Sequence, residues 1–292
     1  MGSIKALIKG AGALRPYLNA VRGADRQSQD GGMMVVLDGE PAATARLRAM
    51  LGVDADRPLR DGDGLVVHAA MPGHDPTLAA AVLAEAKRDG RRVLAIIVGS
   101  DEQRPEIEHA LLEARPLELS NLAHVVNLDD PAPIREAVVR TLDDDAVAAG
   151  RRHPALRAAV GDMLIARAAR QAGTIGVVVV IPGADMPAMT LIQVRLVAQL
   201  AALHGRPLDA RRGLEVAGVL ASAFGWRAIA RRAAGVIPVA GFALRGGVAY
   251  TATRAVGEAA RTYFAQVGEK ADQPLDGLND VIKRTLSRRD RA

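Results

Sequence analysis

The chain has no cysteine, which excludes disulfides and thiolate metal sites and fits a reducing cytosol. Aromatic residues are only 2% of the 292 residues. The core must therefore be built from Ala, Val, Leu and Ile, and few rings are present to stack on bases, so nucleic acid is not an expected partner. The histidines His68, His74, His109, His124, His153 and His204 show neither H-x-x-x-H nor H-E-x-x-H spacing, and no metal site is expected. No G-x-S-x-G elbow is present. Long apolar runs are also lacking. The uncharged stretch from Gln171 to Ala184 is shorter than the ~20 residues needed to span a bilayer and ends in Pro, Gly and Asp. It suits a buried or re-entrant segment better than a full span, as does Ala233–Leu244 with Pro238 inside it.

What remains is a chain able to fold, with 49% hydrophobic and 24% charged residues. Its length suggests two domains. Charge divides them. Of 38 basic and 33 acidic residues, 21 basic and 10 acidic lie from Arg151 onward, a net of +11, leaving a net of −6 before it. A basic second half suits an anionic partner, a membrane surface or an acidic protein face; a solvated surface explains it equally.

Residues 1–30 read as an amphipathic helix and a polar linker. Ile4, Leu7, Ile8, Ala11, Leu14, Leu18 and Val21 recur at helical spacing, so no secretory signal is expected. Such a helix docks on its own protein, on a second subunit or on a membrane. Residues 31–145 alternate strand and helix. Strands are expected at Met33–Leu37, Leu65–Ala69, Val93–Val98 and Leu122–Asn127. Helices are expected at Ala42–Leu51, Thr77–Lys87, Glu106–Glu113 and Ile134–Leu142. This pattern predicts right-handed βαβ units around a parallel sheet covered on both faces. Asp143–Asp145 through Gly150 marks a boundary. Residues 151–267 then read as an all-α domain, with helical spacing in 155–172, 187–204, 208–222 and 241–267. The one strand-like run there is Val177–Ile181. Residues 268–292 read as a basic helix and tail.

In a parallel α/β domain, ligands bind at the carboxyl ends of the strands. The first such turn is Leu37-Asp38-Gly39-Glu40-Pro41-Ala42-Ala43-Thr44-Ala45-Arg46. A phosphate loop needs G-x-x-x-x-G-K-[ST] there. Gly39 keeps the first position; Thr44, Ala45 and Arg46 stand where glycine, lysine and a hydroxyl belong. The second glycine lets the backbone approach phosphate, the lysine pairs with it and the hydroxyl ligates magnesium. Arg46 or Arg48 remains as a candidate anion contact at the helix start. Near the second strand end stands Ala70-Met71-Pro72-Gly73, and after the third stands Val98-Gly99-Ser100-Asp101.

On these positions residues 30–142 resemble a bacterial small GTPase domain. Ala70–Gly73 stands for D-x-x-G with its Asp lost, and Val98–Asp101 stands for N-K-x-D with only the Asp kept. The resemblance implies a degenerate, GTPase- or Rossmann-like fold without hydrolysis. No catalytic residue and no cofactor are expected, and Gly39, Arg46 and Asp101 are the weak candidates for nucleotide contact. Asp101 reads equally as part of a helix N-cap before Pro105.

In the second half, Met189, Ile192, Leu196, Leu200 and Leu203 form one stripe, with Gln193, Arg195 and Gln199 off it. Asp185 before Pro187 reads as an N-cap. The alternative is a buried carboxylate paired with Arg195 or another Arg, making Asp185, Gln193 and Arg195 a polar site in an apolar domain. Ala243, Gly247, Thr251, Ala255 and Ala259 place small residues at every fourth position, expected to admit a second helix closely. Residues 155–265 resemble the bacterial family catalogued as domain of unknown function 697, YcjF-like. The likeness is carried by Ile181–Pro187, Ile192-Gln193, His204-Gly205, Gly235–Gly241 and Thr253–Gly257 to Tyr263-Phe264. That family follows small GTPase domains and occurs in inner-membrane proteins, so the resemblance implies a helical fold and membrane tendency. Together these readings predict a non-catalytic pseudo-GTPase scaffold or adaptor, cytoplasmic or on the inner membrane, that binds a protein partner, itself or an anionic membrane. The alternatives are a diverged nucleotide-binding regulator and a peripheral or re-entrant membrane protein.

Overall fold

The computed structural model describes residue 16 and residues 19–24, 35–53, 64–71, 75–113, 117–178, 186–206 and 241–266. By contacts the chain divides into two compact units, Gln29–Val160 and Met1–Ser28 with Gly161–Ala292. The first is α/β and takes in residues 146–160. The second is helical in its described residues apart from the turn at 204–206.

The α/β unit runs β1 (Val35–Gly39), α1 (Pro41–Leu51), β2 (Leu65–Ala70), α2 (Pro76–Arg88), β3 (Arg92–Val98), α3 (Arg104–Glu113), β4 (Leu122–Val125), α4 (Pro131–Leu142) and α5 (Ala146–Arg152). The strands form one parallel sheet in the order β1-β2-β3-β4. Leu65 pairs with Val35 and Arg92, and Ala95 pairs with Leu122. The β-branched and leucine-rich strands β2 and β3 are buried almost throughout, as a doubly covered parallel sheet requires. One face of the sheet, with Val66, Ala70, Val93, Ala95 and Ile97, packs on Leu83 of α2 and Leu111 of α3. Each large side chain buried there contributes about 1.5–3 kcal/mol. The other face is covered by α4 and α1, tied where the Arg135 guanidinium donates to the Met50 carbonyl at 2.8 and 3.1 Å.

The connections from β1 to β2 and from β2 to β3 advance the same way across the sheet. Their helices, however, lie on opposite faces. The face over β2 and β3 is already filled by α2 and α3, which leaves α1 the face it shares with α4. The strand order also never reverses among the described strands, so no topological switch point of the dinucleotide-binding kind is formed there.

The helical unit contains α6 (Arg157–Val178), whose first four residues fall in the α/β unit, α7 (Met186–Leu203) and α8 (Gly241–Gln266). Residues 19–24 are also helical, with Val21 and Ala24 buried. The strand expected from Val177 is corrected: Val177 and Val178 are the last turn of α6, and both are exposed. Their β-branched signal is overridden by packing of α6 against α8, where a Cβ on Gly246 would stand 2.5 Å from Val177 and 3.0 Å from the Gly173 carbonyl. Close approach thus occurs as expected but on a different stripe. Gly246 and Gly257 face neighbours, whereas Gly247 and Thr251 are exposed. A strict four-residue spacing drifts about 40° per step around a helix, so that row is exposed at Gly247 and Thr251 and reaches the core at Ala255 and Ala259. No described helix is long and apolar enough to cross a membrane. The helices expected at 208–222 and 275–287, most of residues 1–22 and most of the run Ala233–Leu244 lie outside the described residues.

Candidate functional site

Gly39 is the last residue of β1, paired with Ala69, and α1 begins at Pro41. Only Glu40 separates strand from helix. Residues 41–44, which a phosphate loop would hold as an open cradle, form the first turn of α1 instead. Glu40 caps that turn: its carboxylate accepts from the Ala42 and Ala43 amides at 3.0 and 2.7 Å. The N–H groups that would face a phosphate are thus bonded to the chain's own anion. Thr44 is buried and its amide donates to the Glu40 carbonyl at 2.8 Å.

The same device recurs along this edge of the sheet. Asp75 caps α2 by accepting from the Thr77 amide at 2.8 Å, and Asp130 caps α4 by accepting from the Ala132 amide at 2.9 Å. Each of the three caps precedes a proline, which fits the first helical position because its missing N–H would be unpaired there anyway. Side-chain and then backbone hydrogen bonding from Thr77 hold the Asp75 carboxyl below its ordinary pKa. The sequence carried the signal as Glu40-Pro41, Asp75-Pro76 and Asp130-Pro131, an acid before proline after three strands.

The other nucleotide candidates do not converge. Arg46 is exposed and 3.6 Å from the exposed Asp129 carboxylate. Asp101 is almost fully exposed and pairs with Arg104 at 2.8 Å. It does not cap α3; there the Gln103 and Arg104 amides donate to the Ser100 carbonyl at 3.1 and 3.2 Å. Of the segment after β2, residues 72–74 lie outside the described residues.

The opposite edge is different in kind. Between the amino ends of β3 and β4 and the carboxyl ends of α2 and α4 lies a cleft of about 710 Å³. Lys87, Arg91, Arg92 and Arg140 line it, with Asp143 the one carboxylate of its wall. Arg92 is committed to structure: its guanidinium donates to the Thr141 carbonyl at 3.0 Å and to the Leu142 carbonyl, and it meets Asp145 at 2.5 Å. It thereby closes the carboxyl end of α4. Lys87 reaches the Asn121 side-chain oxygen at 3.1 Å and Glu118 at 3.4 Å, and Arg91 lies 3.9 Å from Asp89. Asp143 has φ 49°, the only positive φ outside glycine among the described residues. Sequence reading missed this cleft because its residues come from four separate segments.

In the helical unit, Gln193 is buried and its amide donates to the Thr253 hydroxyl at 3.2 Å across α7 and α8. Gln199 is buried too, so two of the three polar residues expected outside the packed stripe lie inside the helix interface. Arg195 is exposed, which separates it from Gln193, and Asp185 lies outside the described residues. Among the described residues no group of three or more His, Asp or Glu is placed to hold a metal ion.

Compared with known proteins, the chain matches no family model, no curated protein and no solved structure.

Proposed function

We propose that this chain is a non-catalytic scaffold or adaptor. Its α/β unit is a degenerate GTPase-like domain without a grip on a nucleoside triphosphate. Its helical unit binds a protein partner or a second copy of itself. The observation that carries this reading is the β1–α1 turn, in which residues 41–44 are helical and the Glu40 carboxylate holds the Ala42 and Ala43 amides. A triphosphate arriving there meets a carboxylate in place of a lysine and finds the helix N-terminus already bonded. The strand order β1-β2-β3-β4 lends no support to a GTPase ancestry, so that part of the proposal rests on the motif positions Gly39, Gly73 and Asp101. The likeness of residues 155–265 to the YcjF-like domain rests on its quoted residues in the same way.

The test is calorimetric titration of Mg·GTP into the Lys87→Ala/Arg140→Ala double variant, which removes cations of the opposite cleft from the measurement. No magnesium-dependent binding is expected. Micromolar Mg·GTP binding would overturn the proposal in favour of a diverged nucleotide sensor.

A second reading places the chain in the cytoplasm with its helical unit against the inner membrane. Exposed Val177 and Val178, adjacent in the last turn of α6, favour it as apolar side chains turned to solvent. Flotation with vesicles lacking anionic lipid tests this apolar contact; loss of flotation in Val178→Asp supports it, and no flotation of the wild-type chain ends it.

A further inference from the structure

We propose that the cleft at the amino edge of the sheet binds a small ligand carrying a diphosphate or an equivalent multivalent anionic group. Its volume of about 710 Å³ falls within the range of small-molecule sites. Its charge exceeds what the fold requires. The carboxyl ends of α2 and α4 each present about half a negative charge, and Arg88 in the last turn of α2 and Arg92 at the end of α4 answer them. Arg88 also donates to the Ala84 carbonyl at 3.3 Å. Lys87 and Arg140 stand in those same last turns, so each helix end carries two cations, and Arg91 stands beside them.

The carboxylates beside those cations are placeholders. Glu118 and Asp89 have side chains 73% and 51% exposed and stand 3.4 Å from Lys87 and 3.9 Å from Arg91. The carboxylates are the exposed partners, with the Lys87 and Arg91 side chains 28% and 9% exposed, and at such separations a phosphate group that makes shorter charge-assisted bonds displaces them into water. Several cations round one cleft match a multivalent anion better than a monoanion. Buried Val93 and Leu122 give the cleft an apolar floor, and Leu119, 66% exposed, gives it an apolar rim. Water is thereby excluded from one side of the bound group, which strengthens its ion pairs. The strained backbone at Asp143 fits a wall shaped for a ligand rather than for the fold alone.

The chemistry is shared by a soluble diphosphate ester and a phosphorylated lipid headgroup, and two arms separate them. Inorganic pyrophosphate is titrated calorimetrically into the full chain, and the chain is floated with phosphatidylcholine vesicles with and without phosphatidic acid. Pyrophosphate is expected to bind with sub-millimolar affinity. The Lys87→Ala/Arg140→Ala variant, its fold checked by circular dichroism, is expected to lose about tenfold or more. Glu118→Ala, which frees Lys87 of its placeholder, is expected to tighten binding about two- to threefold, a gain that misfolding does not produce. Flotation that depends on phosphatidic acid and is lost in the double variant assigns the headgroup; pyrophosphate binding without it assigns a soluble ligand. Absence of pyrophosphate binding at millimolar concentration, or binding that the double variant leaves unchanged, overturns the proposal. Neither outcome bears on the β1–α1 turn at the other edge.

Discussion

At the carboxyl ends of β1, β2 and β4, the helices that follow turn their amide groups onto Glu40, Asp75 and Asp130. At the amino ends of β3 and β4, Lys87, Arg91 and Arg140 stand round a cleft beside helix carboxyl ends. Helix polarity makes the first edge the natural seat for an anion and the second a poor one. This chain has inverted both. Its own carboxylates fill the positive edge, and its cations gather at the negative one. What decides where a ligand goes in such a sheet is not the fold but which side chains the sequence spends on the helix ends.

The largest effect should come from emptying the filled edge. Glu40→Ala with Asp130→Ala removes two side-chain caps at separate helices, and the losses should add to about 2 kcal/mol, read by urea denaturation. If the pair costs nothing, the carboxylates are not satisfying the amides and the contrast between the edges fails. A similar test exchanges charge at the cleft: Lys87→Glu with Arg140→Glu should abolish pyrophosphate binding in calorimetry while changing the free energy of unfolding by no more than about 1 kcal/mol, since neither side chain is buried. A large loss of stability would reassign those cations to holding helix ends.

A smaller effect concerns acid. The Asp75 carboxyl is held below its ordinary pKa, so the folded state prefers it ionised. Its contribution is present above the unfolded-state pKa and is lost as pH falls through the lower folded-state value. The midpoint of thermal unfolding should therefore fall less steeply in acid for Asp75→Asn than for the wild-type chain. Identical acid slopes would show that Thr77 does not hold the carboxylate in solution. The smallest expected effect is none. Thr44→Gly, Ala45→Lys and Arg46→Ser together restore the letters of a phosphate loop, yet Mg·GTP binding should stay absent, because Pro41–Thr44 is already helix and Glu40 remains on it. Gain of micromolar binding would show that the turn reopens easily.

Local structure was legible in the sequence, because it depends on near neighbours. Thr77–Lys87 was readable as a helix and is Pro76–Arg88; Val93–Val98 was readable as a strand and is Arg92–Val98. The acid-proline caps were equally readable, since the signal is two adjacent residues. Strand order was not, because pairing joins residues far apart, and the alternation of strands and helices is the same whether or not the order reverses. The cleft was invisible for the same reason: Lys87, Leu119 and Arg140 become neighbours only through the sheet. The partner of Gln193 was not readable, because one polar residue beside an apolar stripe carries no mark of it, and Thr253 lies on another helix. Val177 and Val178 looked like a strand because side-chain shape was weighed without the glycine contact that places their helix.

The most direct measurement is a crystal of the full chain soaked with pyrophosphate and Mg·GTP together. The account predicts density for pyrophosphate beside Lys87 and Arg140 and none at the β1–α1 turn, where the Glu40 carboxylate stays on the Ala42 and Ala43 amides. A triphosphate and magnesium seated at that turn, with Glu40 displaced, would contradict it.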